Sequence, residues 1–148
     1  MAVKKNYQIP EIIETEDEKK YFVKELKKIY FDWALHNIRG KSFFNKSINK
    51  SISVSRYGLG EWKTNTKSKE QALSIKILDQ LLENAVFWKN KIHNPLDSNI
   101  IEVLYFKQDC KINFNMYTAI MTVKVYKAHN HHKYYHHYLD DFTLTSVQ

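Results

Sequence analysis

Apolar residues recur every three or four positions in the first half of the chain and every second position in the last third. Phe22, Leu26, Ile29, Trp33 and His36 line one helical face. Thr15-Glu16-Asp17-Glu18 has the form of a capping box and Gly40 supplies a stop, so the first helix is expected from about Glu16 to Asn37. Ile48 to Ser55 alternates in part and predicts a short strand within a stretch from Lys41 to Ser68 that otherwise has loop composition. The next residues, Arg56-Tyr57-Gly58-Leu59-Gly60-Glu61, carry two closely spaced glycines and predict a turn. A second capping box, Ser68 to Gln71, opens a helix reaching about Glu83, with Ala72, Ile75, Leu78, Leu82 and Ala85 on one side.

Beyond this point the period falls to two. Ala85 to Trp88 has strand composition, and Ile100 to Phe106 is a predicted strand. Ile112 to Tyr126 follows as a long strand with Tyr117, Ala119, Met121, Val123 and Val125 on one face and Thr118, Ile120, Thr122 and Lys124 on the other. Lys133 to Phe142 is the last strand, and His93–Ser98, Gln108–Lys111 and His129–His132 are the expected loops and turns. Three successive antiparallel strands after two helices predict an α+β domain, helices on one side of a small sheet and the other side partly open.

Composition bounds this picture. A chain of 148 residues with 3 Gly, 2 Pro and no internal repeat suits one domain, 1–148, divisible into a helical part at 1–47 and a core at 48–142. No stretch approaches the roughly 20 apolar residues of a membrane helix, and MAVKKNYQIPEII lacks the apolar centre of a secretory signal. The lone Cys110 forms no internal disulfide and requires no oxidising compartment, so a cytoplasmic location is expected. Lys and Arg number 23 against 16 Asp and Glu, a net charge of +7, and aromatics reach 14%. A basic chain with interleaved aromatics points to RNA or another nucleic acid, through counterion release and stacking on unpaired bases. Only Arg39 and Arg56 carry a guanidinium fork suited to gripping phosphate with two hydrogen bonds.

Two places hold candidate chemistry. Arg56 opens the glycine segment, where exposed backbone amides beside an arginine offer a phosphate grip, and Glu61, Lys63 and Thr64 share its neighbourhood. The segment is neither a P-loop nor a dinucleotide fingerprint. Five of the 7 His lie between His129 and His137. They have no Cys, Asp or Glu at a ligand spacing, so no metal and no cofactor is expected. His137 sits two residues from Tyr135 on one strand face, which suits acid–base work, while His129, His131 and His132 belong to a solvated turn.

Several segments together resemble a known family. These are Ile52-Ser53-Val54-Ser55-Arg56-Tyr57-Gly58-Leu59-Gly60-Glu61, Leu81-Leu82-Glu83-Asn84-Ala85-Val86-Phe87, Val103-Leu104-Tyr105-Phe106, Tyr117-Thr118-Ala119 and Tyr134-Tyr135-His136-His137-Tyr138-Leu139. From about Ile48 to Phe142 the chain resembles the barnase–EndoU–colicin–RelE-like domains of phage and mobile-element polyvalent proteins and polymorphic toxins. The resemblance implies one or two helices on a four-stranded, mostly antiparallel sheet, and metal-independent RNA cleavage by attack of the 2′-hydroxyl on phosphate. It implies catalytic roles for His137, Glu61 and Tyr135, and substrate binding by Arg56, Lys63 and Lys124. An acidic immunity or antitoxin protein is the implied partner, with delivery into a target cytoplasm as an alternative location. Gly60 and Trp62 depart from the Lys and Thr of the family pattern beside Glu61. The alternative is an inactive phage or plasmid accessory module that binds nucleic acid or a protein partner.

Overall fold

The structure is a computed structural model that describes residues 9–92, 99–127 and 135–147. The loop at His93–Ser98 and the turn at His129–His132 lie outside the described residues. Among the described residues the architecture is a seven-stranded mixed sheet, curled into a half-barrel around helical segments. The strands are β1 (Glu11–Ile12), β2 (Ser42–Asn45), β3 (Lys50–Ser53), β4 (Val86–Ile92), β5 (Ile100–Ile112), β6 (Asn115–Lys127) and β7 (Tyr135–Ser146). The helices are α1 (Val23–Asn37), α2 (Arg56–Asn65), α3 (Lys69–Ser74) and α4 (Leu78–Asn84), the last two joined by a 3₁₀ turn at Ile75–Ile77. The order across the sheet is β1-β5-β6-β7-β3-β2, and β4 joins the same edge of β5 as β1. This corrects the expected four-stranded, mostly antiparallel sheet with N-terminal helices. The seventh, sixth and fifth strands do form the expected antiparallel meander, but β3 and β1 pair parallel to it at β7 and β5. Among the described residues no helix is long and apolar enough to cross a membrane.

Local chemistry explains the departures. The Gln108–Lys111 segment is strand interior, and the hairpin turns instead at Asn113 and Phe114, which adopt φ of 51° and 69°. Positive φ at both central residues is what a tight hairpin turn needs, and asparagine tolerates it well. The Thr15–Glu18 box forms reciprocally: Thr15 N–H donates to Glu18 Oε1 at 2.8 Å and Glu18 N–H to Thr15 Oγ1 at 3.2 Å. It closes a 3₁₀ turn at Glu18–Lys20, and α1 starts later at Val23. The buried stripe of α1 is accordingly Leu26 and Ala34, while Phe22 is 77% exposed.

The glycine segment is helix, not turn. Ser55 caps it, its Oγ accepting from Gly58 N–H at 3.4 Å. Among the described residues β3 pairs with β7 through Ile52–His137 and Ser53–Tyr138, and α2 then runs along β7. A side chain at Gly58 would collide with the Leu139 carbonyl, whereas Gly60 faces open space. Only the first glycine is needed for this close approach. Trp62 stacks on Phe142 with ring centroids 6.3 Å apart, and its indole N–H donates to Gln71 O at 3.3 Å. The core continues through Leu59, Leu73, Ile75, Leu78, Leu82, Phe106, Met121 and Val123, all fully buried. Buried Asn45 pins the β2–β3 hairpin to the end of α4, donating to Leu82 O and Ala85 O and accepting from Ser47 and Ile48.

Candidate nucleic-acid interface

Strand alternation divides the sheet into two unlike faces. Leu104, Phe106, Ala119, Met121, Val123, Val125, Leu139 and Phe142 turn toward the helices and are buried. Tyr105, Lys107, Ile120, Thr122, Lys124, Tyr126 and Tyr138 occupy the intervening positions and are half-buried. Tyr105 pairs with Thr122, Lys107 with Ile120, and Lys124 with Tyr138, so these side chains share the outer face.

Lysines and aromatic rings interleave on this face. Lys107 Nζ lies 3.5 Å from the Trp88 ring centroid and Lys89 Nζ 4.4 Å from it. Lys89 also stands 5.3 Å from the Tyr105 ring. Trp88 is the extra residue of a β-bulge, since Phe87 pairs with Phe106 and Lys89 with Tyr105. A bulge re-aims a side chain away from simple alternation, and Trp88 remains 46% exposed. Farther along, Tyr126 and Tyr138 meet edge to face at 5.7 Å, and His136 lies 6.2 Å from the Tyr138 ring.

A cavity of about 230 Å³ opens beside these tyrosines, lined by Ser55, Tyr57, Lys124, Tyr126, Tyr138, Leu139 and Asp140. Lys124 Nζ pairs with Asp140 Oδ1 at 3.1 Å. Burial disfavours the Lys124 ammonium, but the Asp140 hydrogen bond and charge outweigh it and hold the pKa above the ordinary lysine value. Asp140 is also a bulged residue: Val123 pairs with Leu139 and Thr122 with Asp141, leaving Asp140 between them. Next to it, Asp141 is raised above the ordinary aspartate value by burial, with Asp140 and Glu61 adding repulsion against a partial offset from Asn65 and the Phe142 amide.

The residues singled out from the sequence fall in different places. Lys124 lines the cavity. Arg56 is the first residue of α2 and is exposed. Glu61 lies one turn and more along the same helix, and Lys63 points toward α1, with Nζ 4.7 Å from the Phe31 ring centroid. His137 pairs with Val125 and Ile52, which puts it on the helix-facing side, opposite to Lys124. Tyr135 begins β7, in register with Lys127. The structure therefore brings Lys124 together with Tyr57, Tyr126, Tyr138 and Asp140, and places His137 across the sheet from them. Sequence reasoning missed Tyr57, Trp88, Lys89, Lys107 and Asp140. The alternation of Lys124 with Tyr126 and of His136 with Tyr138 was a usable signal, but the two bulges hide Trp88 and Asp140 from any period-two pattern. Cys110 is fully buried in β5, and burial with the Asp109 charge pushes its thiol up to about 11, which makes it inert. No group of three His, Cys, Asp or Glu side chains among the described residues is placed to hold a metal ion.

Comparison with curated proteins and with solved structures finds no match. A family model does match, over residues 23–138. It agrees with the phage and mobile-element side of the resemblance and carries no nuclease assignment. That match spans most of the sheet and all of α1 to α4, and the chain belongs to the family of large polyvalent protein-associated domain 3, a module of phage and mobile-element polyvalent proteins.

Proposed function

We propose that this domain is a nucleic-acid-binding accessory module that lays an unpaired strand across the outer face of its sheet. The observation that carries the reading is the run of alternating cations and rings from Trp88, Lys89, Lys107 and Tyr105 to Lys124, Tyr126 and Tyr138. Every base has a face that stacks on an aromatic ring, and lysines between the rings meet the backbone phosphates. Duplexes hide their base faces, so an open sheet of this kind suits single strands. The +7 charge adds the sequence-independent part of the affinity.

Binding fits the geometry better than cleavage. Cleavage needs a proton acceptor, a proton donor and a cation around one phosphate, whereas His137 and Lys124 lie on opposite sheet faces. The test is fluorescence anisotropy with labelled single-stranded RNA, single-stranded DNA and duplex, in EDTA, across a salt series. Single strands should bind more tightly than duplex, with affinity falling steeply as salt rises. Trp88→Ala should weaken binding by about tenfold, within the usual range for one stacked base. Salt-independent binding, or equal affinity of Trp88→Ala and parent, overturns the reading. Electrophoresis of the same RNA reports any cleavage directly.

A further inference from the structure

We infer that the outer edge of β4 takes up an extended segment of a partner protein as a further strand, and that acidic side chains at every second position of that segment select it. The inference stands apart from the single-strand reading, because it rests on the backbone edge of β4 and not on the rings of the sheet face.

The backbone sets the first requirement. β4 is seven residues long and exposed throughout. Among the described residues its one strand neighbour is β5. Lys111 N–H donates to Pro10 O at 2.9 Å and Asn113 N–H to Ile12 O at 3.0 Å, so the odd-numbered residues of β5 turn their backbone groups toward the edge that β1 and β4 share. Tyr105 and Val103 accordingly bond Lys89 and Lys91, and Asn90 and Ile92 turn their N–H and C=O outward. A row of such groups is a template for one more strand, and another peptide backbone matches its alternation of donors and acceptors. The opposite edge of the sheet is a poorer template. There β2 has four residues, and its buried Asn45 is tied to the end of α4.

Side chains set the second requirement. Lys89 and Lys91 lie two residues apart on the outer face, and Lys107 of β5 shares the Trp88 ring with Lys89. Glu102 is turned to the other face, where it accepts from Asn90 Nδ2 at 2.8 Å, and leaves these cations uncompensated by it. A strand added alongside places its alternate side chains opposite Lys89 and Lys91, where acids are attracted and cations repelled. The intervening residues fall beside Asn90 and Ile92. Ile92 is 80% exposed and gains cover from an apolar neighbour. The segment that fits therefore alternates acidic and apolar residues. A second copy of this chain does not fit. Antiparallel pairing of two β4 strands centred on Asn90 sets Lys89 against Lys91, like charges directly opposite. Lysines on an edge strand refuse such self-pairing, and the same charge admits an acidic strand.

The experiment adds a ten-residue peptide of alternating Glu and Val to the isotope-labelled full chain and follows backbone amides by NMR. The peptide should shift the Asn90 and Ile92 amides and bind about tenfold tighter than its counterpart with Lys in place of Glu, the combined scale of two cross-strand charge pairs. The Glu peptide with methylated backbone nitrogens should lose this binding. Replacing both lysines, Lys89→Glu with Lys91→Glu, should reverse the preference between the two peptides. Asn90→Pro removes an outward N–H and none of the β4–β5 bonds, so it should abolish binding while the melting temperature stays near the parent's. If that variant unfolds, the methylated peptide and the charge reversal still decide. Equal affinity for the two peptides, binding that survives backbone methylation, shifts confined to other strands, or no binding overturns the inference. Self-association that shifts the same two amides overturns it as well, by assigning the edge to a second copy.

Discussion

The two faces of β6 are made from adjacent residues and do opposite things. Ala119, Met121 and Val123 are fully buried against the helices. Thr118, Ile120, Thr122 and Lys124, one residue out of step, are half-buried on a face that carries rings and cations. The inner face is aliphatic and defined by shape, so its tolerance to change is set by volume. The outer face is held by cation–ring and ion-pair contacts, which are individually weak in water. Stability should therefore reside on one side of the strand and recognition on the other.

The largest break of that comparison is Phe142→Ala. It removes a fully buried ring stacked on Trp62 and should cost about 3–5 kcal/mol of stability, read by denaturant unfolding. Trp88→Ala on the outer face should change stability by only about 0.5 kcal/mol or less, as for other surface changes, while weakening strand binding. Loss of both properties in each variant would dissolve the division of labour. A smaller effect comes from the two glycines of α2. Gly58→Ala forces the helix away from the Leu139 carbonyl and should destabilise by about 1–3 kcal/mol, as overpacking does. Gly60→Ala meets nothing within 4 Å and should stabilise the helix by about 0.5–1 kcal/mol. Equal responses would mean that α2 is not seated against β7 in this way.

These glycines also show what the sequence could and could not convey. Two glycines so close together favour a turn on local propensity, yet Ser55 supplies a cap and Leu139 a surface that only a bare backbone can approach. The cap was readable; the surface lies 81 positions away in the chain (139 minus 58) and was not. The inner face of β6 was legible because aliphatic alternation is a local signal. The parallel contacts of β3 with β7 and β1 with β5 were not, since they rest on long-range pairing of two residues each. The candidate site divides in the same manner. Lys124 was picked out and lies in the cavity, whereas Asp140 and Trp88 reach the outer face through bulges that no periodic pattern announces.

The smallest expected effect tests the seam between the faces. Asp141 is half-buried there, accepting from Asn65 Nδ2 at 2.9 Å through Oδ2, while Oδ1 is buried without a hydrogen-bond partner among the described residues. Burial, with Asp140 and Glu61 nearby, raises its pKa above the ordinary aspartate value. A carboxyl with a raised folded pKa binds its proton more tightly in the native state. Its favourable contribution is present below the unfolded value of about 4 and is lost as pH rises through the folded value. Ionised Asp141 thus weakens the fold at neutral pH. Asp141→Asn keeps an acceptor for Asn65 and cannot ionise, so its melting temperature should exceed the parent's at pH 7, the gap closing as pH falls toward 3. Glu18 works the other way. Burial pushes its pKa up, but hydrogen bonds from Thr15 and Lys76 outweigh it, and the net value lies below the ordinary one. Its contribution is present at neutral pH and fades in acid, so the parent still loses stability at low pH from that side of the molecule. A gap between Asp141→Asn and parent that widens in acid would place the strain elsewhere than at this carboxylate.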